Sequence, residues 1–83
     1  MEPIQLAKEL RQAYEVARRN EATCQVLLFG IRYAEDLENC GAPLKKIVEL
    51  SGIGKGYVSE VSKGVKLARY VEIKEGEWHN GRS

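Results

Sequence analysis

Apolar residues recur every three or four positions through most of this chain, the spacing that predicts amphipathic helices. The first such segment covers residues 3–19. Pro3 suits its first turn, and Arg18 and Arg19 suit the negative end of the helix dipole in its last turn. We expect this helix to pack against the rest of the domain or against a second subunit. Its apolar side consists of Leu6, Ala7, Leu10, Ala13, Tyr14 and Ala17.

A second helix is predicted over residues 23–39, where Thr23 can cap the start and Gly41 follows as a stop signal. Its apolar residues cover more than one stripe of the helix surface, which is typical of a helix central to the core. Gly30 within the segment indicates close approach of another helix. The apolar residues are Val26, Leu27, Leu28, Phe29, Ile31, Tyr33, Ala34 and Leu37.

Two shorter helices are predicted over residues 43–51 and 55–63, with Gly64 closing the second. Beyond them "ARYVEIK" alternates apolar and polar positions, which predicts a short strand over residues 68–74. This strand either turns at "EG" into "EWHN" as a hairpin wing or pairs with the same strand of a second subunit. The predicted fold is mainly α, with four helices and a short C-terminal β-strand or hairpin.

Charge is distributed unevenly along the 83 residues, a length that predicts a single domain over residues 1–83. The whole chain has 13 basic and 12 acidic residues, a formal net charge of +1. Residues 1–42 have five basic and seven acidic residues, whereas residues 43–69 have six against two. The basic segment, with a net charge of +4, is the kind of segment that a polyanion-binding surface requires.

Several classes of function find no support in the composition. Two cysteines and one histidine are too few for a structural zinc site, and no Ser/His/Asp or Cys/His set indicates an enzyme. We expect no metal, no cofactor and no catalysis. The longest apolar run is Val26 to Phe29, so no membrane segment or signal peptide is expected and the protein is predicted to be cytoplasmic.

The stretch "SGIGKGYVSEVSKG", residues 51–64, contains four glycines and invites three interpretations. A phosphate-binding loop requires glycine where Glu49 stands and a hydroxyl residue where Gly56 stands. The stretch is therefore not a nucleotide-binding loop of that type. A dinucleotide fingerprint is also excluded, because the glycines are spaced G-x-G-x-G and no strand precedes them.

A helix-hairpin-helix is the second interpretation. Gly52, Ile53 and Gly54 would form a tight hairpin whose amides face a DNA phosphate, and binding would be largely independent of sequence. The stretch departs from that motif at Ser51, where proline is usual, and at Val58, where a small residue is usual.

A helix-turn-helix accounts for more positions. With Gly52 as the ninth residue of a twenty-residue unit, Leu44 to Lys63, the turn falls on a residue that tolerates a left-handed backbone. Gly54 would then cap the second helix. The five inward positions of this register are Ile47, Ser51, Ile53, Val58 and Val61.

The string "ELSGIGKGYVSEVSKG" resembles the helix-turn-helix of bacterial repressors of the lactose-repressor and phage-repressor type, whose common form is close to "ELAGVSKGTVSRVLNG". The resemblance implies a four-helix helix-turn-helix domain that binds double-stranded DNA in a sequence-specific way as a small prokaryotic or phage transcriptional regulator. Tyr57 and Glu60 differ from the usual residues of that family and would change which bases are read. A protein-interaction or antitoxin module on the same scaffold is the alternative from another class.

In the helix-turn-helix interpretation the second helix enters the major groove. The residues expected to face the bases are Lys55, Gly56, Tyr57, Ser59, Glu60 and Lys63. The residues expected to bind phosphates are Lys45, Lys46, Lys63, Lys66 and Arg69. A homodimer is expected, because one short helix reads only a few bases.

Overall fold

The computed structural model describes residues 1–74, which form five α-helices around one core. Within this part of the chain, no helix is long and apolar enough to cross a membrane. The helices are α1 (Pro3–Glu15), α2 (Ala22–Arg32), α3 (Ala34–Asn39), α4 (Leu44–Ser51) and α5 (Tyr57–Leu67).

Helix α1 is shorter than the predicted helix over residues 3–19, which is wrong beyond Glu15. The Val16 N–H still bonds to the Gln12 carbonyl, but the exposed Val16 side chain gives the helix no apolar contact that would favour another turn. The chain then reverses through Asn20, whose φ is 66°, a left-handed conformation that asparagine tolerates. Arg18 and Arg19 therefore lie in a loop and not in the last turn of a helix.

The predicted helix over residues 23–39 is two helices, α2 and α3, which meet at Tyr33. The Tyr33 backbone departs from helical values (φ −108°), while its ring packs on Phe29 with centroids 5.2 Å apart and its hydroxyl lies 3.3 Å from a Glu9 carboxylate oxygen. Burial, and then the charge of Glu9, raise the pKa of Tyr33, so the phenol keeps its proton and donates a hydrogen bond to the Glu9 carboxylate. The side chain is thus tied to α1 where the helix breaks. Thr23 does not cap α2, which begins at Ala22 after Glu21.

Helices α2 and α5 cross at two glycines, which confirms the close approach expected at Gly30. A Cβ built on Gly30 would lie 2.5 Å from the Val61 carbonyl oxygen and 3.0 Å from the Gly64 Cα. A Cβ on Gly64 would meet the Leu27 carbonyl oxygen and the Gly30 Cα. The prediction that Gly64 closes the last helix is therefore wrong. Gly64 lies inside α5, which continues to Leu67, and its role is to let the backbones of α2 and α5 touch.

The core lies between the two N-terminal helices and the α4–α5 pair. Every helix contributes to it: even the six-residue α3 buries Leu37. Five helices therefore share one apolar cluster. The largest fully buried side chains are Leu6, Leu10, Val26, Ile47, Val48 and Val61.

The described residues 1–74 contain no strand, so the strand predicted over residues 68–74 does not form within the single chain, and its pairing with a second subunit stays a prediction. The Ala68 and Tyr70 N–H groups bond to the carbonyls of Gly64 and Leu67, so the chain continues the helical turn before it becomes irregular from Val71. A strand needs a neighbouring strand to pair its backbone groups, and no described segment supplies one. The expected hairpin return at residues 77–80 lies outside the described residues.

Candidate nucleic-acid interface

The turn between α4 and α5 begins at Gly52, in the place expected of it. Gly52 has φ 82°, the left-handed conformation that ends α4 at low cost, and its N–H bonds to the Glu49 carbonyl. Ser51 is buried, and its hydroxyl donates to the Val48 carbonyl (2.6 Å) and accepts from the Ile53 N–H (3.3 Å). One small side chain thus links the end of α4 to the turn, and Ile53 continues into the core.

Arg11 of α1 also reaches this turn, a contact that the sequence pattern does not predict. Its Nη1 donates to the Ser51 carbonyl oxygen at 3.2 Å, while its Nε lies 2.7 Å from a Glu15 carboxylate oxygen. A cation at the C-terminus of a helix complements the dipole and pairs with a carbonyl that lacks a helical partner. The four-residue spacing of Arg11 and Glu15 is visible in the sequence, but the contact across 40 residues is not.

Helix α5 begins two residues later than the predicted helix over residues 55–63. The Tyr57 and Val58 N–H groups bond to the carbonyls of Gly54 and Lys55, so residues 54–56 form a lead-in turn. Gly56, and not Gly54, is the N-cap residue of α5. No atom lies within 4 Å of the position that a Gly56 Cβ would take, so the backbone is accessible at this point.

Tyr57 was expected to point outward, but its side chain is half-buried against α1. Its ring meets the Tyr14 ring edge-on, with centroids 5.5 Å apart. Such a contact fixes the start of α5 against the C-terminal half of α1. The ring is therefore chiefly a packing group.

The outward face of α5 is formed by residues three and four positions apart, from Ser59 to Lys66. Ser59, Lys63 and Lys66 are exposed, and the Ser59 hydroxyl donates to the Gly56 carbonyl at 3.2 Å. Ser62 lies on the edge of the same face and is half-buried. Ser62 was not among the predicted site residues, although its spacing of three from Ser59 could have identified it.

The predicted cations differ in whether they are already paired. Lys46 lies 3.8 Å from Glu49, and Lys63 lies 3.6 Å from Glu60, whose side chain is only 24% exposed. Glu60 therefore neutralises a lysine of the outward face. Within residues 1–74, four of the predicted phosphate- or base-binding cations form neither ion pairs nor side-chain hydrogen bonds and are exposed: Lys45, Lys55, Lys66 and Arg69.

Two of these unpaired lysines line the same groove, between α4 and the start of α5. Lys45 of α4 and Lys55 of the turn line a groove of about 250 Å³, together with Val48, Glu49 and Val58. Lys66 and Arg69 lie at the other end of α5, roughly 16 Å away by the rise of an 11-residue helix. The structure thus separates these four unpaired cations into two pairs, one near each end of α5.

Residues 3–74 match the family described as HTH-like domain. The chain belongs to this family. The match spans all five helices, well beyond the twenty residues of the motif itself. No curated protein and no solved structure gives a significant match to the chain.

An HTH-like domain is, at this level of description, a DNA-binding regulator fold that is typically non-enzymatic. This supports the helix-turn-helix interpretation of residues 44–63, without assigning the domain to the lactose- or phage-repressor type. Among residues 1–74, no group of three or more histidine, cysteine, aspartate or glutamate side chains is arranged to hold a metal ion.

Proposed function

We propose that this HTH-like domain binds double-stranded DNA in a sequence-specific way, with α5 in the major groove, as a small prokaryotic or phage transcriptional regulator. The observation that carries the proposal is the turn at Gly52. Its left-handed backbone and the two Ser51 hydrogen bonds fix α5 against α4, while the outward face of α5 takes no part in the core. A helix held in this way and left exposed is what major-groove reading requires.

Each exposed group has a proposed role that follows from its position. Lys55 lies in the turn just before α5 and Ser59 in its first turn, where side chains reach base edges, and Gly56 lets the backbone approach the DNA. The remaining lysines and Arg69 bind phosphates and set the register of the helix. Tyr57 contributes by holding the start of α5 in place. The side chains proposed to bind phosphates are Lys45, Lys46, Lys63, Lys66 and Arg69.

The direct test measures binding of labelled duplexes by fluorescence anisotropy, using mixed-sequence fragments, a site selected from random duplexes and the region upstream of the gene. We expect preferential binding to a discrete site and an affinity that falls steeply with salt. Lys55→Ala should weaken binding to the selected site by about 1–3 kcal/mol and relax its sequence preference. Lys45→Ala should weaken binding to all duplexes alike.

Lys8→Ala is the matched control, because Lys8 is an exposed cation of α1 to which the proposal assigns no DNA contact. Equal affinity of the unmodified protein for every duplex would favour helix-hairpin-helix binding. No binding at low salt would favour a protein-interaction module. Unchanged affinity in both lysine variants would show that the DNA lies on another face.

Glu60→Gln separates two roles for the carboxylate on this face. If Glu60 chiefly holds and neutralises Lys63, the variant releases that lysine and should raise affinity for all duplexes about two- to fivefold at low salt, with a steeper salt dependence. If Glu60 accepts a hydrogen bond from a cytosine amino group, the variant should lose discrimination at one base position. The geometry favours the first result, and selection of sites by the variant distinguishes the two.

A homodimer stays a prediction that complements this proposal, since α5 has only 11 residues. Exposed apolar side chains are present on α1 and α4, at Ile4, Val16 and Leu50, and after α5, at Leu67 and Tyr70. The first three side chains and the last two thus form two candidate interfaces for a second copy of this chain.

A further inference from the structure

Arg18 and Arg19 lie in the loop between α1 and α2, and both are exposed. The loop has a defined shape: the Glu21 N–H bonds to the Arg18 carbonyl at 2.9 Å, Asn20 takes the left-handed conformation and Ala17 is half-buried. The two guanidinium groups are therefore presented from an ordered turn and not from a helix end, where they would only complement the dipole.

The fold attaches this loop to the proposed DNA-binding end of the molecule. Tyr14, four residues before Arg18, packs edge-on against Tyr57 at the start of α5. Arg11, one turn earlier in α1, donates to the Ser51 carbonyl beside Gly52. The C-terminal half of α1 thus lies along the turn, and the loop that follows it emerges next to the N-terminal end of α5.

The charges near the loop leave both arginines available. Glu15 is held by Arg11 at 2.7 Å, and Glu21 is the N-cap residue of α2, where the positive end of the helix dipole stabilises a negative charge. Within residues 1–74, Arg18 and Arg19 have neither an ion pair nor a side-chain hydrogen bond. They come from the half of the sequence with a net charge of −2, yet their loop directly follows the part of α1 that contacts the turn and the start of α5.

We propose that Arg18 and Arg19 bind phosphates of the same duplex that α5 reads, beside the end of the groove where α5 begins. The inference rests on the proposed function, because it requires DNA on the face that carries Lys55. Phosphate is the expected ligand rather than a base edge, since the loop lies beside α5 and not on its outward face. Arginine also matches a phosphate group with two parallel hydrogen bonds.

The test compares the unmodified protein with the double variant Arg18→Gln/Arg19→Gln, measuring affinity for the selected site and for a mixed-sequence duplex between 50 mM and 400 mM salt. Each phosphate contact contributes about 0.9 to the slope of log K against log salt, so the variant should lose about 1.8. At 100 mM salt its affinity should fall by about tenfold or more for both duplexes, and the curves should converge as salt rises.

Lys8→Gln is the matched control for this inference and should keep the original slope. Circular dichroism melting should show that the double variant retains its fold, since both side chains are exposed. If the unmodified protein binds no DNA, the proposed function itself fails. If it binds and the double variant keeps the original slope, the loop contact alone is wrong. A loss confined to the selected site would also overturn it, because phosphate contacts are independent of sequence.

Discussion

Alanine at position 64 is expected to destabilise the fold by about 3 kcal/mol, close to half the stability of a domain this small. The new methyl group would overlap the Leu27 carbonyl oxygen and the Gly30 Cα, which are backbone atoms and cannot turn aside. Helices α2 and α5 would have to move apart, and the buried Val26 and Val61 would lose contacts. This cost exceeds the roughly 1 kcal/mol by which alanine exceeds glycine in helix propensity.

Thermal or urea unfolding measures the effect, and a loss of about 3 kcal/mol corresponds to roughly 15 °C in Tm. Gly30→Ala should behave similarly, because its Cβ would lie 2.5 Å from the Val61 carbonyl oxygen. Gly56→Ala is the control: its surroundings are open and its φ of −61° suits alanine, so stability should change by less than about 0.5 kcal/mol. Equal stability of all three variants would mean that α2 and α5 do not cross at the glycine pair.

Valine at position 52 is expected to lower the free energy of unfolding by about 3 kcal/mol. It should also weaken DNA binding at temperatures below the melting range of the variant. A β-branched side chain at φ 82° is strained, and the added Cβ would lie 2.8 Å from Nη1 of Arg11, which would displace the guanidinium from the Ser51 carbonyl. Gly52→Asn should cost only about 1 kcal/mol, because asparagine tolerates the left-handed region.

Gly41→Val isolates the contribution of backbone strain. Gly41 has φ 85°, nearly the value of Gly52, but no atom lies within 4 Å of its Cβ position. We expect it to lower stability with little effect on DNA affinity below its melting range, measured by anisotropy and by circular dichroism melts on the same samples. Comparable loss of DNA affinity in both valine variants would contradict a specific role of the Gly52 turn in orienting α5.

The motif itself could be predicted from the sequence because its signals are local. A glycine that ends one helix, apolar residues at fixed offsets on either side and lysines nearby all lie within twenty residues, and backbone sterics act over that range. Gly52 at φ 82° and the burial of Ile47, Ser51, Ile53 and Val61 follow that register. Gly30 as a point of helix contact was also visible, since an interior glycine otherwise weakens a helix.

Tertiary contacts decided the features that the sequence pattern predicted incorrectly. Helical spacing continues through Tyr33, but the Glu9 and Phe29 contacts fix its side chain where α2 ends. Alternation over residues 68–74 resembles a strand, but alternation alone supplies no partner for its backbone groups. The sequence pattern predicts a helix end at Gly64, because glycine is common where helices stop. A glycine can equally lie where another helix packs closely, and the contact with Gly30 shows that Gly64 has this second role.

The sequence alone thus determined a mainly helical domain with a basic helix-turn-helix around Gly52, because periodicity and backbone sterics are local properties. Only the tertiary structure decided which groups accompany that motif. Arg11 contacts the turn from 40 residues away, and Tyr14 holds Tyr57 inward. These pairings join residues far apart in the chain, so they do not follow from spacing along the sequence, whereas the Glu60–Lys63 pair has the three-residue spacing that a helix brings together.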